Sequence, residues 1–130
     1  MAAPIIEHEL LPEHEDDPEH PIPYLGSLDV MAVKEGGGAD LIIVVASPLR
    51  ADERSQKRLL DKMEGYLAFI SSVEFRAQAG IPTMDNTKVV VKLHPHSAPE
   101  ISDLLFRCES WVQKSNASLQ VEILTPSELA

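Results

Sequence analysis

Residues 28–46 read Leu28-Asp29-Val30-Met31-Ala32-Val33-Lys34-Glu35-Gly36-Gly37-Gly38-Ala39-Asp40-Leu41-Ile42-Ile43-Val44-Val45-Ala46. Two β-rich runs flank three glycines, and glycine takes the positive φ of a tight reversal without steric cost. The stretch therefore predicts a β-hairpin: Leu28 to Lys34, a turn over Glu35 to Gly38, then Asp40 to Ala46. Leu41 to Val45 is apolar at both alternating parities, the mark of a strand inside a sheet rather than at its edge.

Beyond the hairpin the chain alternates helix and strand. Leu59, Leu60, Met63, Tyr66, Leu67, Ile70 and Val73 recur at three- and four-residue spacing, which predicts one long helix from about Asp52, its cap, to Val73. A loop over 76–86 leads to a third strand, Lys88 to Leu93. Ser97 and Glu100 have capping-box spacing with Pro99 in the first turn, so a second helix is expected from there to about Ser115. Asn116 would end it, and Leu119, Val121 and Ile123 alternate with Gln120 and Glu122 in a last strand. The order is ββαβαβ. Right-handed crossovers then give an α+β two-layer sandwich, a four-stranded mixed sheet with two helices on one face. The open face is expected to carry Met31, Val33, alternate residues from Leu41 to Val45, and Val90. That is more apolar surface than a monomer usually exposes, so a cover is expected, either the N-terminal arm or a second copy.

The charge is divided. Of a formal −10 from 21 acidic and 11 basic residues, residues 1–26 hold seven acids and no Lys or Arg, along with five of the ten prolines. Closely spaced prolines remove amide donors and restrict their neighbours, so 1–26 is read as an extended acidic arm and 27–130 as the α+β domain. In the arm, Ile5, Ile6, Leu10, Leu11, Ile22, Tyr24 and Leu25 can pin it to a surface. An acidic chain is repelled by phosphate backbones and anionic lipid, which argues against nucleic acid and membrane as partners. The longest apolar run, Leu41 to Ala46, is far too short to span a bilayer, and a single cysteine (Cys108) fits a reducing, cytoplasmic setting.

With these segments placed, residues 28 to about 123 resemble a family of small bacterial proteins known only as a domain of unknown function. The resemblance lies in Leu28-Asp29-Val30-Met31-Ala32 and in the helix block from Leu59-Leu60-Asp61-Lys62 to Tyr66-Leu67-Ala68-Phe69-Ile70-Ser71-Ser72. The third strand, the second helix and the last strand are similar only in type and order. Where the family has a short acidic loop after its second strand, this chain has Ser47-Pro48-Leu49-Arg50, and the acidic arm has no counterpart. The resemblance implies the same fold and a cytosolic bacterial setting, and it transfers no catalytic residue.

Three constellations can bear chemistry. Glu7-His8, Glu13-His14 and Glu19-His20 offer metal ligands, although a proline-rich arm organises ligands poorly. His94-Pro95-His96 sits at a strand end before a helix N-terminus, where sheets of this kind bind ligands, so His94 and His96 are candidate metal ligands. Arg50, Arg54, Lys57, Arg58 and Lys62 are concentrated in thirteen positions. Arg54, Arg58 and Lys62 share one helical face, so with Arg50 they can receive an anion, an acidic partner or the arm of this or a neighbouring chain; the plainer expectation is a solvated face paired with Asp52, Glu53, Asp61 and Glu64. No glycine pattern of a nucleophile elbow surrounds any serine, and Gly36-Gly37-Gly38 lacks the lysine and helix of a phosphate loop. Asp85 and Lys92 flank a strand on which Val90 stands where a nuclease's second carboxylate would be. The expected function is a non-catalytic protein-interaction module, without a cofactor, that can self-associate through its sheet. The alternative is a small metal- or anion-binding protein or enzyme centred on His94, His96 and the second helix's N-terminus.

Overall fold

The computed structural model describes residues 16–129. In chain order the elements are β1 (Val30–Val33), β2 (Ala39–Val45), α1 (Glu53–Ile70), α2 (Val73–Ala79), β3 (Thr87–Leu93), α3 (Pro99–Arg107), α4 (Glu109–Gln113), β4 (Ser118–Ile123) and α5 (Pro126–Leu129). One four-stranded sheet has the order β1-β2-β3-β4. The β1–β2 hairpin is antiparallel, while β2–β3 and β3–β4 are parallel and joined through helices. This is the α+β, mixed-sheet ββαβαβ architecture expected from the periodicity.

The core lies between the sheet and the helices. Leu41, Ile43 and Val45 on β2 and Val89, Val91 and Leu93 on β3 are buried with Leu59, Met63, Tyr66 and Ile70 of α1 and with Ile101, Leu105 and Val112 of α3 and α4. Among the described residues no helix is long and apolar enough to cross a membrane.

Both long helices expected from the sequence are interrupted. Ser72 donates its hydroxyl to the Phe69 carbonyl (2.6 Å) and accepts from the Phe75 amide (3.2 Å). A serine that bonds its own backbone in this way competes with the helix, so α1 stops at Ile70 and Ser72 caps α2. The break swings Val73, expected on the apolar stripe, into solvent and turns Phe75 inward, edge-on to Phe69 at 5.8 Å. The second helix divides at Cys108, whose amide bonds Leu105 in a tighter three-residue step. Nor is Ser97 a cap. Ala98 holds that position, with Pro99 following it, and the Ser97 hydroxyl instead accepts from the Leu49 amide at 3.1 Å, tying the β2–α1 loop down. Asp52 caps α1 as expected, and Asn116 takes a left-handed φ of 62° where the helix ends.

The open face is composed differently from the expectation. Met31 pairs with Leu41 and Val33 with Ala39, so both stand on the helix side. The helix-free side carries Val30, Ala32, Asp40, Ile42, Val44, Lys88, Val90, Lys92, Gln120 and Glu122. Val90 is buried and Ile42 and Val44 are half-buried, and polar residues take over toward β4. Lys92 reaches Glu128 of α5 at 2.7 Å, and this contact with the Thr125 amide holds the Glu128 carboxyl down to about 2.

Candidate functional site

The basic face of α1 holds the chain's own arm. Arg54 pairs with Asp17 (2.8 Å). Arg58 donates through Nε and Nη2 to the Ile22 carbonyl (3.0 and 2.8 Å) and through Nη2 to that of Pro23 (3.1 Å). Lys62 donates to the Tyr24 carbonyl and to Asp29 Oδ1 (2.7 Å). Arg58 is 0% exposed and Lys62 1%, and Ile22, whose carbonyl Arg58 holds, is 1% exposed within the main core. Residues 16–26 therefore lie along α1 in turns and bends, while Ile5, Ile6, Leu10 and Leu11 fall outside the described residues. Arg50 does not join this row: it is exposed in the β2–α1 loop, on the rim of a shallow concavity with His20, Pro21, Pro48, Asp52 and Ser55.

Lys62 also links the arm to the sheet. Asp29 accepts from the Val44 amide through Oδ2 (3.0 Å), while the Tyr66 hydroxyl donates to the Ile42 carbonyl (3.0 Å) and accepts from the Asp29 amide (2.8 Å). These two side chains satisfy the edge of β2 beyond the point where β1 has begun. Burial pushes the Tyr66 phenol well above its usual range.

His20 and Ser55 form a histidine–serine pair, Nε2 to Oγ at 3.0 Å. The opposite ring atom, Nδ1, accepts the Ile22 amide at 2.9 Å. That bond fixes the neutral tautomer with hydrogen on Nε2, so the imidazole donates to Ser55. A general base needs a lone pair at that nitrogen; the pair therefore holds the arm and leaves the serine unactivated. Burial first, then the positive charges of Arg58 and Arg54, hold the His20 pKa below its ordinary value, against the opposing pull of Asp17 and Asp52. Once the arm is released, His20 titrates near 6.5. Below that pH the released arm takes up a proton that the docked arm refuses, so docking is complete above about 6.5 and weakens as pH falls toward the docked value. Exchange of the Ile22 amide should accelerate between neutral and mildly acidic pH relative to core amides. His20→Gln should remove most of that dependence, and the same slope in wild type and variant would disprove the assignment to His20.

The other two described histidines, His94 and His96, stand apart from the arm in the β3–α3 loop. His94 and His96 lie with ring centroids 5.2 Å apart, and His94 Nδ1 accepts from the His96 amide. Among the described residues no three His, Cys, Asp or Glu side chains converge as metal ligands. Glu7-His8 and Glu13-His14 fall outside the described residues.

A further surface, not singled out by any local pattern, lies at the far edge of the sheet. Val89, Val91 and Leu93 are covered by helices, but their register partners Leu119, Val121 and Ile123 on β4 are only partly so. Val121 is 40% exposed, Ile123 54%, and Phe106 on α3 81%. Phe106, Leu119 and Val121 line one concavity with Ser102, Asp103 and Glu109 at its rim. The sequence signal was present in the alternation of β4, but only strand order shows that β4 is an edge.

Comparison with protein-family models, with curated proteins and with solved structures finds no match for this chain in any of the three.

Proposed function

We propose that this protein is a non-catalytic protein-interaction module that engages protein through the uncovered edge formed by β4 and α3. The observation that carries this reading is the exposure of Phe106, Val121 and Ile123 together beside a strand with no further neighbour in the described sheet. Apolar residues grouped at a sheet edge mark association surfaces. The single buried cysteine and the likeness to a small bacterial domain favour a cytoplasmic setting.

A photo-crosslinking benzoylphenylalanine in place of Phe106 tests this in the native cell, with the same group in place of exposed Gln78 as control. The expected result is a discrete adduct from position 106, absent from position 78 and lost when Val121→Lys is added. No adduct, or an adduct indifferent to position and to Val121→Lys, overturns the reading.

A further inference from the structure

The two edges of the sheet are treated differently. β1 has four residues, and Asp29 and Tyr66 satisfy the backbone of β2 beside it. β4 has six, Ser118-Leu119-Gln120-Val121-Glu122-Ile123, with no proline and no lysine, and it pairs only with β3 in the described sheet. Alternate residues of such a strand direct N–H and C=O groups outward. Natural edges that must stay unpaired are shortened, bulged or charged; this one carries a single charge, Glu122.

The sequence of β4 says what fits there. Its side chains read apolar at 119, 121 and 123 and polar at 120 and 122, the same in both directions. An antiparallel strand with this sequence, placed so that Val121 faces Val121, sets each Leu119 against the other copy's Ile123 on the helix side. On the opposite side it sets each Gln120 against the other copy's Glu122, an amide against a carboxylate. Slipping two residues one way opposes Glu122 to Glu122, and slipping the other way leaves Ile123 unpaired and drops one apolar pair. The register centred on Val121 alone matches all three apolar positions and faces no two carboxylates. Cross-strand pairs of these kinds are the unit of sheet stabilisation, and like charges directly opposed are destabilising. Phe106 stands beside Val121 in the same concavity, ready to be covered as the edges meet.

We infer that the occupant of this edge is a second copy of the chain, joined by antiparallel β4–β4 pairing about a two-fold axis at Val121 into a continuous eight-stranded sheet. This rests on the interaction reading above and narrows it to one partner. An isologous contact of this kind closes on itself, so it gives a dimer and not a fibre.

Sedimentation equilibrium of the full chain tests it. The expected mass is twice the 14.3 kDa of one chain. Val121→Lys should return it to one chain mass with an unchanged circular dichroism spectrum, while Val30→Lys on the helix-free face leaves the dimer intact. Under mild oxidation Val121→Cys should cross-link to itself, and faster than Ser118→Cys, whose register partner lies beyond the strand end. A dimer that survives Val121→Lys, or a Val121→Cys chain that stays uncross-linked, overturns the inference even if the lysine variant fails to fold. A monomeric wild type also overturns it. If that monomer still yields the Val121-dependent adduct from position 106, the interaction reading stands with a different partner; if it yields none, both fall.

Discussion

Gly38→Ala should cost about 3–5 kcal/mol, a large part of what a domain of this size has to lose. Gly38 has a φ of +87°, and a β-carbon there would lie 2.0 Å from the carbonyl oxygen of Asn86 and 2.6 Å from its carbon. Two effects add. A left-handed backbone at a residue with a side chain costs about 1–3 kcal/mol. Forcing a methyl against a main-chain carbonyl costs about as much again, because the obstacle is backbone and cannot rotate away. The turn is held in place from the end of α2, where the Gly38 amide donates to the Ala79 carbonyl at 2.7 Å, and closed on itself by the Lys34 amide donating to the Gly38 carbonyl at 2.9 Å. Gly36 gives the internal comparison. It has a φ of +91° with open space around its missing β-carbon, so Gly36→Ala should cost only the conformational part, about 1–2 kcal/mol. Urea denaturation of the two variants measures both. Equal losses would mean that the hairpin does not rest on the loop before β3.

Arg58→Ala should release the arm and lower global stability by about 2–4 kcal/mol. Among the described residues the guanidinium makes three bonds to two carbonyls, and bonds to a charged donor contribute about 1.5–3 kcal/mol each before the freed carbonyls regain water. Burial, and after it the charge of Arg54, lowers the Arg58 pKa from its usual value, yet not so far that the group loses its proton in any ordinary buffer. Loss of the arm also uncovers Ile22, whose burial contributes about 1.5–3 kcal/mol. These losses overlap, because one event causes both, so they do not sum. At this chain length the thermal midpoint should fall by roughly 10 °C. Limited proteolysis should then cut within residues 16–26 while sparing the sheet. Protection unchanged at Tyr24 would place the hold on the arm elsewhere.

The elements legible in the sequence were those whose periodicity is local. The glycines at 36–38 do take positive φ, the unbroken apolar run 41–45 is an interior strand, and the alternating run 88–93 is a strand with one face on the helices. The helix stripe was legible from Leu59 to Ile70 but not its end, because Val73 fits the period equally well and only the bonds of Ser72 decide the break. Parity in β1 is not legible, because a short strand with apolar residues at both parities does not say which face is inward; pairing with Ala39 and Leu41 turns Met31 and Val33 to the helix side. The opposite charges of the arm and the face of α1 are visible in the sequence, but not which of them meet; Arg54 pairs with Asp17. The deeper contacts were not, since Arg58 and Lys62 grip carbonyl oxygens that every residue possesses. His20 and Ser55 stand 35 positions apart, beyond any spacing argument. The exposed edge at Phe106 needed strand order, which no single segment encodes.

That two cations hold main-chain oxygens has an evolutionary corollary. At Pro23 and Tyr24 the grip acts on the peptide unit whatever side chain hangs from it, so those two sites are permissive to mutational drift. Ile22, sealed in the core, is not. Orthologues of this protein should therefore diverge freely at 23 and 24 while keeping an aliphatic residue at 22 and long cationic ones at 58 and 62.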